Sequence, residues 1–210
     1  MKAKEHISEV IPVIVISDKG QQKGKHTEKE EYWKELGIEV IDAPLPCGDY
    51  IIANDKVMDV ISRKRERGIP VKKMDFLGTY NVTVDTKKDI QELVGDICGK
   101  QHARFRDELI LAQNNGIKLY VLVANLDGVT RLSDLENWNN PRLARYERIK
   151  EMHENGRWKS VKLPKRRPTG GAQLMKACRT MEQKYGAEFF FCHNSEQGAM
   201  VLELLQQEVP

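Results

Sequence analysis

The chain has 210 residues and a mass of 24.1 kDa, a length suited to one domain. Hydrophobic residues make up 40% and charged residues 31%, which suits an ordinary globular protein with a core, and nothing approaches the roughly 18 apolar residues of a membrane-spanning helix. The formal net charge is only +3, from 34 Lys and Arg against 31 Asp and Glu, so the field of the whole molecule argues little for a nucleic-acid partner.

The chain opens Met1-Lys2-Ala3-Lys4-Glu5-His6 with no apolar leader after it, and residence in the cytosol of whatever cell makes or hosts it is expected. Residues 10–16 form a β-branched run that ends at Ser17-Asp18 and predicts a buried strand, with Pro12 near its start. Residues 20–26 are polar and contain glycine, which predicts a loop. Lys23 and Lys25 there could touch backbone phosphate, although solvated loop lysines are the commoner case. Thr27 with Glu30 forms a capping box for a helix through Trp33 and Leu36 that stops at Gly37. Residues 38–45 predict a second strand and 48–52 a third, begun by a tight turn at Gly48. Val57, Val60 and Ile61 among charges predict an amphipathic helix over 55–70, ended by Gly68 and Pro70.

Residues 79–85 alternate like a fourth strand. Helices are expected over 89–98 and 101–113, then a buried strand over 119–123. Asn139-Asn140-Pro141 opens a further helix, with proline well suited to its first position. Residues 156–171 read as a basic loop, 171–185 as a helix, 188–191 as a strand and 195–207 as a closing helix. Strands mixed with helices throughout predict an α/β sheet of two or three layers. Cys47, Cys98, Cys178 and Cys192 form no C-x-x-C pair and have no histidine at zinc-finger spacing, so buried reduced thiols are expected.

Basic residues cluster in two runs. One holds Arg63, Lys64, Arg65, Arg67, Lys72 and Lys73 with Glu66; the other holds Arg157, Lys159, Lys162, Lys165, Arg166 and Arg167 with no acid. Such runs are usually solvated surface, and local charge density makes Lys64, Arg65, Arg166 and Arg167 candidates for phosphate contact. Arg104 and Arg106 open the helix over 101–113 and could also reach phosphate, but Asp107 and Glu108 stand close enough to pair with them instead. His26 and His102 read as surface histidines rather than proton carriers. Trp138, Trp158 and Tyr146 read as packing residues rather than base-stacking platforms.

Three acids stand at strand ends: Asp18 after the first strand, Asp49 at the start of the third, and Asp85 two residues before Lys87. Residues i and i+2 of a strand share a face, so Asp85 and Lys87 project together. Two carboxylates and an amine at one sheet edge form the set that phosphodiester hydrolysis with a hard cation requires. Strand-end aspartates also make turns, and Asp85-Thr86-Lys87 could equally cap the helix that follows.

Taken in order, the chain resembles the XPF-like branch of the PD-(D/E)xK nucleases, and most closely their small phage-type and bacterial members. The resemblance rests on Val13-Ile14-Val15-Ile16-Ser17-Asp18, Leu45-Pro46-Cys47-Gly48-Asp49-Tyr50, Val84-Asp85-Thr86-Lys87, the helix with Leu93 and Val94, residues 99–106 and the strand 119–123. It implies a restriction-endonuclease-like mixed central sheet flanked by helices. The whole chain is then one nuclease domain with a core over about 10–125, an insertion over about 54–78 and an extension over about 126–210 that completes the sheet and packs its helices on one side. It also implies a Mg²⁺ (or Mn²⁺)-dependent DNA endonuclease, structure-selective and serving repair or recombination, that works as a homodimer or with a partner subunit. Asp49, Asp85 and Lys87 would be catalytic, with Asp49, Asp85 and Asp18 on the metal. The family's arginine after the helix matches Lys100 or Arg104. The sequence departs from the family where Thr86 replaces arginine and Gln91 replaces an aspartate four residues after the lysine. Those departures leave open a non-catalytic DNA-binding module or an accessory subunit.

Overall fold

The computed structural model describes residues 13–20, 27–158 and 160–207. The start of the first expected strand at 10–12, Lys23, Lys25, His26 and Lys159 lie outside the described residues, as does the Thr27 side chain expected to cap the first helix.

Six strands form one mixed sheet in the order β2-β1-β3-β4-β5-β6. They are β1 (Ile14–Asp18), β2 (Glu39–Ala43), β3 (Tyr50–Ile52), β4 (Val82–Lys87), β5 (Lys118–Asn125) and β6 (Glu188–His193). β1 pairs parallel with β2, and β4, β5 and β6 pair parallel with one another; β3 runs antiparallel to both β1 and β4. Five strands therefore point the same way and end together at Asp18, Ala43, Lys87, Asn125 and His193. β3 starts at that end, and the crevice outside the carboxyl ends of such strands is where α/β sheets place their chemistry.

The helices are α1 (Thr27–Glu35), α2 (Asp55–Glu66), α3 (Ile90–Ile97), α4 (His102–Asn114), α5 (Pro141–Glu154), α6 (Gly171–Tyr185) and α7 (Gln197–Leu205). Asn54, Asp89 and Asn140 cap α2, α3 and α5 through their side-chain oxygens. This is the usual answer to unpaired N–H groups at a helix start. The cap after β4 is thus Asp89 and not Asp85, which lies inside the strand. Short stretches of 3-10 helix at Lys73–Phe76 and Leu132–Asn137 fall where no element is expected from the sequence.

The molecule has three layers. β5 is apolar on both faces, with Leu119, Val121 and Val123 in one buried cluster and Tyr120, Leu122 and Ala124 in the other. A strand of that kind needs cover on both sides. α2, α3, α4 and α6 cover the first face; α1 and α7 cover the second. The expectation that the C-terminal helices share one side is therefore corrected. α6 buries Leu174, Cys178 and Met181 on one face, whereas α7 buries Val201, Leu204 and Leu205 on the other. Trp33 in α1 ties this second layer together, its indole N–H donating to the Gly198 carbonyl at 2.9 Å.

The four cysteines are free thiols; Cys47, Cys178 and Cys192 are buried and Cys98 is half-buried. Burial pushes the Cys47 and Cys192 thiols up to about 11, which keeps them protonated and inert. Among the described residues no helix is long and apolar enough to cross a membrane.

Candidate active site

The turn before β3 is built on Gly48, whose φ of +69° lies in the left-handed region. A β-carbon there would fall 2.0 Å from the Thr83 hydroxyl oxygen, so conformation and space both demand glycine. That turn delivers Asp49 against β4. The Asp49 N–H donates to the Val84 carbonyl at 2.8 Å, and the Asp18 N–H donates to the Asp49 carbonyl at 2.8 Å. The Asp49 carboxylate accepts from both the N–H and the hydroxyl of Thr86, at 2.8 and 2.7 Å. Asp49 is thereby fixed beside the residue that separates Asp85 from Lys87.

β4 alternates faces along its length. Val82 and Val84 belong to the α1–α7 side, and Thr86 shares it, within 3.4 Å of the Lys29 ammonium of α1. Thr83, Asp85 and Lys87 point to the other side, under α3 and α4. Lys87 lies 2.7 Å from Asp85 Oδ2 and 2.8 Å from Asp96 of α3, all three side chains being less than one tenth exposed. Its ammonium also sits 5.0 Å from the centre of the Phe105 ring of α4. Asp85 Oδ2 is buried, and among the described residues the Lys87 ammonium is the one charged partner it meets.

The electrostatics follow from burial and proximity. Burial would pull the Lys87 ammonium down, but Asp85 and Asp96 outweigh it and hold Lys87 above its ordinary value. Burial pushes the Asp85 carboxyl well above the carboxylate range; the Lys87 charge opposes this, and those of Asp49 and Glu108 add to it. Within the Asp85–Lys87 contact the proton stays with Lys87, which Asp96 also satisfies. Glu108 of α4 is likewise pushed up by burial, against the pull of the Gly48 N–H that it accepts at 2.8 Å. On the opposite face burial lowers Lys29 to about 8, with Asp49 the main charge resisting the shift.

The structure thus brings Asp49, Asp85 and Lys87 to one end of the sheet, with Asp49 braced against Thr86 and the other two under α3 and α4. The Asp18 carboxylate is engaged by backbone donors, the Leu45 N–H at 2.8 Å and the Gly20 N–H at 3.2 Å. It staples the approach to the Gly48 turn. Among the described residues no group of three or more acid, histidine or cysteine side chains is arranged to hold a metal ion. The donors at this sheet end are nonetheless all carboxylates, the chemistry a hard divalent cation prefers. The buried oxygen of Asp85, which among the described residues meets only the Lys87 ammonium, has room in its valence for such an ion.

The remaining candidates are dispersed. Lys64 pairs with Asp75 at 2.9 Å on the α2 side, and Arg65 is exposed. Lys100 and Arg104 are exposed at the α3–α4 junction, and Arg106 pairs with Asp107 at 2.7 Å. Arg167 pairs with Glu147 at 2.8 Å beside an exposed Arg166. His102 contacts the Ile97 carbonyl at 2.7 Å. Trp138 is buried with its indole N–H on Asp127, whereas Trp158 is exposed.

Sequence reasoning missed Asp96 and Lys29, and it read Glu108 as a surface partner for Arg104. Each carried a signal, namely a charge on the apolar stripe of its helix. Asp96 follows Leu93 by three residues and Glu108 follows Phe105 by three, while Lys29 precedes Trp33 by four.

No family model matches the chain, and no curated protein matches it. Among solved structures it is similar to XPF from Aeropyrum pernix, with 12% sequence identity and a TM-score of 0.49. That alignment covers 94% of this chain and 65% of the other, so the chain spans about two thirds of the length of the structure it matches.

Proposed function

We propose that the chain is a divalent-metal-dependent DNA nuclease whose reaction centre is the sheet end formed by Asp49, Asp85 and Lys87. The observation that carries this reading is the buried Asp85–Lys87–Asp96 set, in which Asp85 has Lys87 as its one charged partner among the described residues and also feels the charges of two more acids, Asp49 and Glu108. Asp49, Asp85, Asp96 and Glu108 outnumber the ammoniums of Lys87 and Lys29, and burial raises Asp85 and Glu108, so this excess of acids stands where charge is costly. A hard cation such as Mg²⁺ or Mn²⁺ would relieve that excess, with Asp85 and Asp49 as its holders. When bound, such an ion polarises a phosphate and offsets the charge that builds as the phosphodiester bond is displaced.

The residues of the chain do the rest. Lys87 keeps Asp85 in position and supplies a fixed positive charge where the phosphorane gains negative charge. Thr86 orients Asp49 through two hydrogen bonds. Asp18 works one step further out, by stapling the segment that leads to Gly48 and Asp49. A second reading, a DNA-binding module without turnover, is favoured by one observation: Lys87 is already engaged on two sides by Asp85 and Asp96.

A panel of branched, flapped and linear DNAs with Mg²⁺, Mn²⁺ or EDTA separates the two readings. The nuclease reading expects metal-dependent cleavage that Asp85→Ala abolishes while DNA binding persists or tightens, because a charge that repels phosphate is removed. Cleavage by Asp85→Ala at the parental rate would sink the assignment of the centre. Binding without cleavage of any substrate would favour the second reading.

A further inference from the structure

Residues 140–169 leave the body and return to it at one point. Asn140 closes the neck, donating its side-chain N–H to the Thr169 carbonyl at 2.7 Å while its oxygen caps α5. The same oxygen accepts from the Gln91 amide at 2.8 Å. Gln91 lies in the first turn of α3, four residues after Lys87, so the neck is fastened near the candidate centre. The two flanks are also in close contact, since a β-carbon at Gly171 would fall 2.1 Å from the Leu135 carbonyl and 2.6 Å from that of Trp138. Beyond the neck the segment barely touches the body, and α5 buries only Ile149.

Charge is partitioned between this arm and the rest. Residues 141–169 hold ten Lys and Arg against three Glu, a net +7. The remaining 181 residues hold 24 against 28, a net −4. The arm therefore carries more positive charge than the entire chain shows. Much of that charge is unpaired: among the described residues Arg142, Arg145, Arg157, Lys162, Lys165 and Arg166 form no ion pair. Arg142, Arg145 and Arg148 recur every third residue along α5, a spacing that sets neighbours along one ridge of a helix. Arg148 lies 5.4 Å from the ring of the exposed Trp158.

We infer that this arm is a separate nucleic-acid grip, which holds the sugar-phosphate backbone of the substrate beside the cutting centre. A ridge of free guanidiniums with an exposed aromatic fits a polyphosphate strand, and the acidic body would repel one. The inference rests on the nuclease reading for the nature of the substrate and deepens it by naming what holds the DNA.

The test is equilibrium binding of the full chain in EDTA, where cleavage plays no part. The probes are a labelled DNA duplex and its single strand, titrated between about 50 and 200 mM salt. The variant Arg142→Gln/Arg145→Gln/Lys165→Gln/Arg166→Gln is compared with Lys34→Gln/Lys56→Gln/Lys176→Gln/Arg179→Gln, which removes the same charge from the body. The arm variant should bind at least about tenfold more weakly. Its dependence of log K on log salt should be shallower by about 0.9 for each duplex phosphate it no longer neutralises, or about 0.7 on a single strand, while the body control stays near the parent. The probe with the larger change identifies the strand form that the arm holds. Identical affinities and slopes for arm variant and body control overturn the inference and point to an acidic protein as the arm's partner. Failure of the nuclease reading is seen separately, as absence of metal-dependent cleavage in a protein that still binds through the arm.

Discussion

Replacing Gly48 with alanine should cost the fold roughly 3–5 kcal/mol, and the sum can be worked from its surroundings. A φ of +69° costs an alanine about 1 kcal/mol relative to glycine. The new methyl would stand 2.0 Å from Thr83 Oγ1 and 2.8 Å from Thr83 Cγ2, so something must move, and overpacking of this kind typically costs about 1–3 kcal/mol. Thr83 cannot yield freely: it is fully buried, and its hydroxyl lies 3.0 Å from the Tyr50 carbonyl and 3.3 Å from that of Cys47. Displacing it forfeits about another 1 kcal/mol of hydrogen bonding. Urea unfolding of Gly48→Ala, Thr83→Ala and the double variant forms a cycle. Thr83→Ala removes the two closest atoms and leaves only its Cβ, at 2.9 Å. The double variant should therefore be about 1–2 kcal/mol more stable than the sum of the single losses. A loss below about 1 kcal/mol for Gly48→Ala, or strict additivity in the cycle, would refute the close approach of Gly48 to Thr83 and with it the account of how Asp49 is aimed.

Other outcomes follow from the charged residues. Lys87→Met strands Asp85 and Asp96 without their ammonium and should lower stability by about 3–5 kcal/mol in urea melts; a neutral result would mean that the two acids need no cation between them. Lys29 is held down to about 8 by burial, so between about pH 8 and its unfolded value of 10.5 the unfolded chain binds the extra proton and stability rises with pH. The cost of the buried ammonium is full below that window and gone above it. Lys29→Met should erase this rise, and stability curves of parent and variant that stay parallel from about pH 7 to 11 would contradict it.

Much of the architecture could be read from residue order. β1, β5 and α6 announced themselves through β-branched runs and through a stripe at helical spacing, because those patterns reflect burial directly. β4 was read three residues early, since Thr79 and Tyr80 mimic a strand while serving the turn: Thr79 accepts from Asn54, and Tyr80 reaches back to Cys47. The pairing of Asp85 with Lys87 follows from the period of two. That Asp49 braces against Thr86, and that Asp96 and Glu108 join from helices, depends on how α3 and α4 cross the sheet, which local patterns do not encode. Gln91 read as a defect in a motif, whereas in the structure it fastens the arm. The placement of α7 opposite α6 was illegible for a similar reason: each helix carries an adequate apolar stripe, and nothing within either stripe says which face of the sheet is still uncovered.

The bond between Trp33 and Gly198 has a consequence for biosynthesis. It joins residues 165 positions apart, and α7 is the cover over Lys29, Tyr50 and the Thr86 side of β4. During translation the earlier segments leave the ribosome with that flank bare, and they keep an oily surface on view until α7 arrives. A nascent chain in this state has Asp85, Asp96 and Lys87 gathered on one side but no backing wall on the other. The sheet end is thus completed only once α7 has been made.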